Sequence, residues 1–352
     1  MHGKDKVIIF AAGGTGGHVF PAVSLADEMV SRGYRCMFIT DNRGIKYLPD
    51  KYKLDAYTFY SRTSPRILLY MFLVLNIARF FVKFLFCRKK IGMVVGFGGY
   101  PSVPPTFAAQ ILGIKTVVHE QNAVIGKANA LLCRMANMAI MSFDGVQSRC
   151  KNTVYVGNPT RFDDEYKNCC PKTYTNTVTV LIIGGSQGAK IFSTVVVKAI
   201  AMVAKTKDIF VYHQVLQEDL VAVTDLYDKL KIKHVVKPFF DNIGDLYKES
   251  DLVISRSGAS SVFEIIGFAK PSILIPLLQS INGDQTYNAL YLYNRNAAEI
   301  YWEDRMTDKD MADMILKIIQ NLDVMTSMSN NLASMRIEDT TKKICDIICK
   351  SC

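Results

Sequence analysis

The sequence predicts an α/β protein made of two doubly wound parallel-sheet domains facing a cleft. Short apolar, β-branched runs alternate with longer helical patterns along most of the chain, the arrangement of parallel strands covered by crossover helices. A strand, a glycine-rich turn and a helix start occur at Val7–Met29 and again at Val178–Val197, as two similar halves would require. At 352 residues the chain is also too long for one ordinary core.

The elements follow in order. In the first half the apolar runs Val7–Ala12, Arg35–Thr40, Met93–Phe97, Thr116–His119, Met138–Met141 and Val154–Val156 read as strands. Pro21 through Met29 reads as the first helix. Gly157–Arg161 and the polar stretch Phe162–Thr177 form the best linker. The second half offers strands at Val178–Ile183, Ile209–Tyr212, His234–Val236, Leu252–Ile254, Ser272–Ile275 and Ala298–Tyr301, and the pattern beyond about Thr307 is helical. Ligands of such sheets bind outside the carboxyl ends of the strands, so the cleft between domains is the expected site.

Hydrophobic residues make up 49% of the chain and charged residues 21%, which indicates a soluble globular protein with a somewhat apolar surface. The net charge of +10 points to an anionic partner: nucleic acid, membrane or phosphorylated substrate. Basic residues are not interleaved with aromatics, so nucleic acid is not expected. The nine cysteines are scattered and the chain opens without a secretory signal, so a cytosolic location with free thiols is expected. Cys349-Lys350-Ser351-Cys352 lacks the aliphatic pair of a prenylation box and any strand context, and no function is assigned to it. No Cys/His cluster has zinc spacing and no Asp-x-Asp pair suggests a divalent ion, so neither metal nor other cofactor is expected.

The charge is uneven. No acidic residue lies between Asp55 and Glu120, whereas Arg62, Arg66, Arg79, Lys83, Arg88, Lys89, Lys90 and Lys115 do. The centre of that window, Ile67–Phe86, is broken only by Asn76, Arg79 and Lys83, one narrow polar stripe on an apolar helix. Three readings stand: a helix lying on an anionic membrane surface, a buried core helix with snorkelling cations, and a true span. The first assigns Phe80, Phe81 and Phe84 to the membrane.

Four turns carry the chemistry. Gly13-Gly14-Thr15-Gly16-Gly17-His18 joins a strand to a helix start, where N–H groups and the helix dipole favour an anion. Its imidazole stands where phosphate cradles usually carry lysine or a third glycine, which puts a possible base beside an anion site. Gly96–Ser102 adds Tyr100 and Ser102, which offer hydroxyls to a polar substrate or merely decorate a tight turn. Gly184–Ala189 opens another helix, with Ser186 able to offer hydroxyl and N–H to a phosphate, but it matches neither a P-loop nor a dinucleotide fingerprint. In Ser255–Glu264, either Ser257-Gly258-Ala259 binds a diphosphate while Glu264 accepts from a ribose diol, or Ser260-Ser261 and Glu264 form a capping box. His119–Asn122 reads as a possible satisfied loop, and His213 and His234 as structural residues.

In this order and spacing, the four turns together with His119–Asn122, Gly157–Arg161 and Asp284–Ala289 resemble the MurG family over nearly the whole chain. These are peripheral N-acetylglucosaminyltransferases that complete the lipid-linked disaccharide-pentapeptide precursor of peptidoglycan. The resemblance implies the glycosyltransferase-B fold, two Rossmann-like domains. Residues 1–159 would bind acceptor and membrane, 160–330 the UDP-sugar, and 331–352 would return to the first domain. UDP-N-acetylglucosamine would be held by Ser186 and the helix start Ser257–Ala259 at the diphosphate, with Ser260, Ser261, Val262 and Phe263 lining the donor. Glu264 would take the ribose hydroxyls, the backbone at Phe240 the uracil, and Gln285 the sugar. Asn122 and Arg161 match donor contacts, Thr15, Gly16 and Gly17 would close over the donor, and Tyr100 and Ser102 lie on the acceptor side. The acceptor would be an undecaprenyl-diphosphate-linked muramyl pentapeptide, and the location the cytoplasmic face of the bacterial inner membrane, on anionic lipid.

Departures from the family pattern fall at Asp284, where Gln or His is usual, at Pro101, at Phe240, and in an extra residue within Leu277–Asp284. The implied chemistry is displacement of UDP from the anomeric carbon by the muramyl 4-hydroxyl, with inversion. His18 is expected as the base, its rival role being to shape the turn. Another lipid-directed UDP-sugar transferase and a non-catalytic nucleotide-sugar-binding membrane scaffold are the alternatives, and the joint presence of His18, Glu264 and Gln285 argues against the second.

Overall fold

The computed structural model describes residues 6–53, 56–59, 66–167, 177–184 and 189–351, with backbone alone at 66–70 and 281. The chain forms two compact units. Met1–Arg161 and Asp339–Cys352 make the first, and Phe162–Glu338 the second.

The first unit is built on a parallel sheet of β1 (Val7–Ala11), β2 (Arg35–Asp41), β3 (Tyr57–Phe59), β4 (Ile91–Gly96), β5 (Thr116–Glu120), β6 (Met138–Met141) and β7 (Thr153–Tyr155), in the order β3-β2-β1-β4-β5-β6-β7. The second unit carries β8 (Val178–Ile183), β9 (Ile209–Gln214), β10 (Lys233–Lys237), β11 (Leu252–Ser255), β12 (Ser272–Leu274) and β13 (Glu299–Ile300), ordered β10-β9-β8-β11-β12-β13. The central strands are buried on both faces, which is why they read as near-continuous apolar runs. Among the strands of the described residues, β3 alone was invisible as a pattern: it is three residues long and lies at a sheet edge.

Each order reverses once, between β1 and β4 and between β8 and β11. Ala11 pairs with Gly96 at the first reversal, and Ile183 with Ser255 at the second. These strand ends are where the four turns begin. Both reversals are topological switch points, where side-by-side strands send their connections to opposite faces and leave a crevice.

The helix Thr340–Ser351 belongs to the first unit. Ile344, Cys345 and Ile348 are buried with Leu25 and Met29 of the helix Gly16–Ser31, and Arg32 pairs with Asp346 while donating to the Lys342 carbonyl. The return begins at Asp339, later than 331, because the helix Leu322–Ser334 still packs into the second unit. There Met325 and Met328 join the core and Ser329 Oγ donates to the Ala269 carbonyl at 2.8 Å.

The helix Arg66–Cys87 corrects the membrane assignment. Phe80 and Phe84 are 0% and 2% exposed, packed with Ile9, Ile39 and Phe59 in the core, and Phe81 is half-buried against the same cluster. Asn76 is also buried and donates to the Phe72 carbonyl. The outward face instead carries Met71, Val74, Leu75, Val82, Leu85 and Phe86, with Val74 64% and Phe86 86% exposed. The run is apolar everywhere but the narrow stripe of Asn76, Arg79 and Lys83, and Asn76 of that stripe is itself buried, so periodicity gave no direction to its buried face. Among the described residues no helix is long and apolar enough to cross a membrane.

Candidate active site

At the first switch point the opening turn is shorter than the sequence suggests. The helix begins at Gly16, with Thr15 as its extended N-cap residue, so His18 lies in the first helical turn. Thr15 Oγ1 is 3.1 Å from His18 Nδ1, a contact that sets the ring plane. Gly14 adopts φ +82°, and its N–H donates to Asp41 Oδ1 at 2.8 Å. A Cβ on Gly13 would lie 2.7 Å from that same oxygen and 2.9 Å from Pro101 Cβ, so only glycine lets the turn settle here. Asp41 is fully buried at the end of β2, accepts also from the Gly44 N–H at 2.9 Å, and pairs with Arg43 Nε at 3.0 Å.

The second turn leads into the helix Gly99–Ile111, which holds Tyr100 in its first turn, and Pro101 costs nothing there because that N–H has no helical partner. A Cβ on Gly99 would sit 3.4 Å from His18 Cε1, so the imidazole stands directly against this turn. Partial burial raises the Tyr100 phenol, which stays protonated and able to donate. Ser102 is corrected: it is fully buried and its hydroxyl donates to the Gly99 carbonyl at 3.1 Å, which shapes the turn from behind.

After β5, Glu120 is a buried carboxylate that organises a loop. It accepts from the Asn122 N–H and Nδ2, the Gly126 N–H and Asn129 Nδ2. Burial pushes this carboxyl up, against the pull of those hydrogen bonds. His119 is wholly buried and neutral, its pKa pushed down to about 3 by loss of water, with Gln121 and Ser142 at its ring nitrogens. Glu120 thus holds the loop together from within and fixes Asn122, although the buried Gln121 Oε1 and Asn129 Oδ1 have no hydrogen-bond partner among the described residues. Arg161 is exposed and closes the first unit.

In the second unit, residues 185–188 of the third turn, and with them Ser186, lie outside the described residues. The fourth turn is well defined. Its helix, Ala259–Phe268, is N-capped by Gly258 with no side-chain cap, so the alternative capping box does not form. Ala259 and Val262 are buried, whereas Ser261, Phe263 and Glu264 are partly accessible. Ser260 Oγ has no hydrogen-bond partner among the described residues. Ser257 Oγ donates to the Gln285 carbonyl at 2.8 Å, and the buried Asn288 Nδ2 returns to the Ser257 carbonyl at 3.0 Å. This helix start is therefore stitched to the helix Asp284–Tyr293, whose second residue is Gln285. Gln285 Oε1 accepts from the Leu277 N–H at 3.0 Å, and Asp284 Oδ1 accepts from the Gln285 N–H at 2.7 Å. Phe240 is buried in the turn after β10, edge-on to Tyr212. His213 is buried against the Tyr227 hydroxyl, and His234 Nδ1 lies 2.8 Å from the Ile232 carbonyl, both structural roles.

Two glycosyltransferase family 28 domains match this chain, the N-terminal domain over residues 8–141 and the C-terminal domain over 179–344. UDP-N-acetylglucosamine--N-acetylmuramyl-(pentapeptide) pyrophosphoryl-undecaprenol N-acetylglucosamine transferases are 34% identical in Rickettsia felis, covering 95% of this chain and 96% of the relative, and 35% identical in a Bradyrhizobium species, covering 100% and 99%. The crystal structure of Acinetobacter baumannii MurG superposes with a TM-score of 0.83 at 26% identity, covering 98% of this chain and 99% of that one. The chain belongs to the MurG family. The two parallel-sheet units have the architecture of that family. Sequence reasoning missed Asp41 and the stitching role of Asn288, although Asp41 ends a parallel strand on the side where ligands bind.

Proposed function

We propose that this chain transfers N-acetylglucosamine from UDP-N-acetylglucosamine to the 4-hydroxyl of undecaprenyl-diphosphate-linked N-acetylmuramyl pentapeptide, with inversion at the anomeric carbon. The observation that carries the reading is that the strands preceding the four turns end at the two topological switch points, one followed by an imidazole and the other by a carboxylate inside its helix.

On the donor side, charge builds on the leaving diphosphate. The start of the helix Ala259–Phe268, uncapped by any side chain, presents its N–H groups to it. One helix terminus contributes about 0.3–1 kcal/mol, and up to about 2 kcal/mol when partly buried. Ser186 adds its hydroxyl and N–H, Glu264 accepts from the ribose diol, the Phe240 backbone reads uracil, and Gln285, with its helix oriented by Ser257 and Asn288, reads the sugar. On the acceptor side His18 takes the hydroxyl proton as the new bond forms. Thr15 holds the imidazole through Nδ1, which directs the opposite nitrogen to that task. Tyr100 serves the acceptor, and Asn122, fixed by Glu120, and Arg161 serve the donor. The exposed apolar face of the helix Arg66–Cys87, with Arg88, Lys89 and Lys90 beside it, docks the first unit on anionic lipid at the cytoplasmic face of the membrane.

The test is transfer of labelled sugar to a short-chain muramyl-pentapeptide lipid analogue. The expected product is the β-linked disaccharide lipid with one UDP released per transfer. Transfer to a diacylglycerol acceptor instead would establish the other lipid-directed class, and UDP-sugar binding without turnover would establish the scaffold. His18→Ala is expected to lower kcat by about 10²–10⁴-fold with little change in the donor KM. Near-normal kcat would leave His18 only the shaping of its turn.

A further inference from the structure

Glu264 does not stand alone in its helix. The Tyr247 hydroxyl donates to Glu264 Oε2 at 3.1 Å. Tyr247 lies in the short helix Ile243–Glu249 and is fully buried. Its ring lies face to face with Phe268, centroids 5.0 Å apart and planes within 9°. Phe268 and Glu264 are four residues apart on one helix, so they share a face. Tyr247 therefore grips the same helix twice, by its ring and by its hydroxyl. The segment that carries it is anchored in turn, since the buried Lys270 Nζ donates to the Lys248 and Ser250 carbonyls at 3.0 and 2.9 Å.

A glutamate has three side-chain rotors, and ordering them on a ligand costs affinity that prior ordering removes. An ionised carboxylate has about four acceptor positions, more than a phenol by itself takes up. A carboxylate pinned at one oxygen presents that capacity in a single orientation.

We propose that Tyr247 is a positioning residue for ribose recognition, one that presets the Glu264 carboxylate to read the 2′- and 3′-hydroxyls together and so sets the preference for ribonucleotide over 2′-deoxyribonucleotide donors. The proposal rests on the reading of Glu264 as the ribose contact.

The experiment measures Kd for UDP and for 2′-deoxy-UDP with the full chain and with Tyr247→Phe, Glu264→Gln and the double variant. Tyr247→Phe keeps the stacked ring and removes one hydroxyl, so the packing on Phe268 stays. It is expected to weaken UDP about three- to tenfold and 2′-deoxy-UDP less than about twofold, which shrinks the ratio of the two constants. Glu264→Gln is expected to abolish most of the preference, and adding Tyr247→Phe to it is expected to change nothing further. If Tyr247→Phe keeps the full preference while Glu264→Gln loses it, the positioning role is wrong and the ribose contact stands. Losses that add in the double variant would also overturn the role, because Tyr247 would then act elsewhere. If neither single variant changes the preference, the ribose reading itself falls and the proposal falls with it.

Discussion

Asp41 places a buried carboxylate beneath a turn that reads, in sequence, as a set of backbone donors for an anion. It takes the Gly14 N–H, so that donor serves the protein and the turn is held to present His18. Asp41→Ala would leave the Gly14 N–H without its acceptor, at about 1–3 kcal/mol if it stays dry, while the Gly44 N–H keeps the Asp41 main-chain carbonyl at 3.0 Å. The expected outcome is a lower kcat with a nearly unchanged donor KM. Asp41→Asn, whose amide oxygen still accepts both bonds, should recover part of the loss. Steady-state kinetics on the three forms checks this, and equal loss in both variants would assign the effect to charge alone. Gly14, Thr15 and His18 were legible because strand, glycine turn and helix start are local signals. Asp41 was not, because its contact with Gly14 joins residues 27 apart in the chain.

At the scale of elements, the helix Arg66–Cys87 shows what an apolar run leaves undetermined. Its composition predicts a helix in contact with something apolar, and both the sheet and a lipid surface qualify. Packing decides: Phe80 and Phe84 face the sheet, and the cations Arg79 and Lys83 lie over the Tyr57 ring at the margin. Phe80→Ala is expected to cost about 3–5 kcal/mol of stability, read as a lowered denaturation midpoint. Val74→Ser, Val82→Ser and Phe86→Ser together should reduce partitioning onto anionic vesicles while leaving UDP binding intact. Unchanged partitioning would remove this face from the membrane interaction.

Across the whole molecule, each unit buries a neutral histidine, His119 in the first and His213 in the second, each with its pKa pushed down to about 3 by burial. An unfolded histidine takes up its proton near pH 6.5, and the folded one does not until far lower. Stability from this source is therefore complete above about pH 6.5 and is lost as the pH falls toward 3. Glu120 opposes it in the first unit, since its raised carboxyl gains a proton in the folded state before the unfolded one does. The acid limb of the second unit should be the steeper. Thermal unfolding followed from pH 8 to pH 4 checks this, with His213→Asn expected to flatten the slope. An unchanged slope would place the acid sensitivity elsewhere.

Of the thirteen strands among the described residues, twelve are legible as runs in the sequence, with the glycine turns that follow four of them and the residues offered at those turns. Such features are written in runs of neighbouring residues, where apolar content, glycine and helix starts act locally. That the strands before the four turns end at two sheet reversals emerges with the folded sheets, because strand order depends on pairing between distant segments. The tertiary structure also decided which face of the Arg66–Cys87 helix is buried, that Ser102 lies behind its turn, and that Asp41 and Tyr247 stand beneath His18's turn and Glu264. Those outcomes depend on which distant side chains meet once the sheets are assembled, and no run of neighbouring residues encodes them.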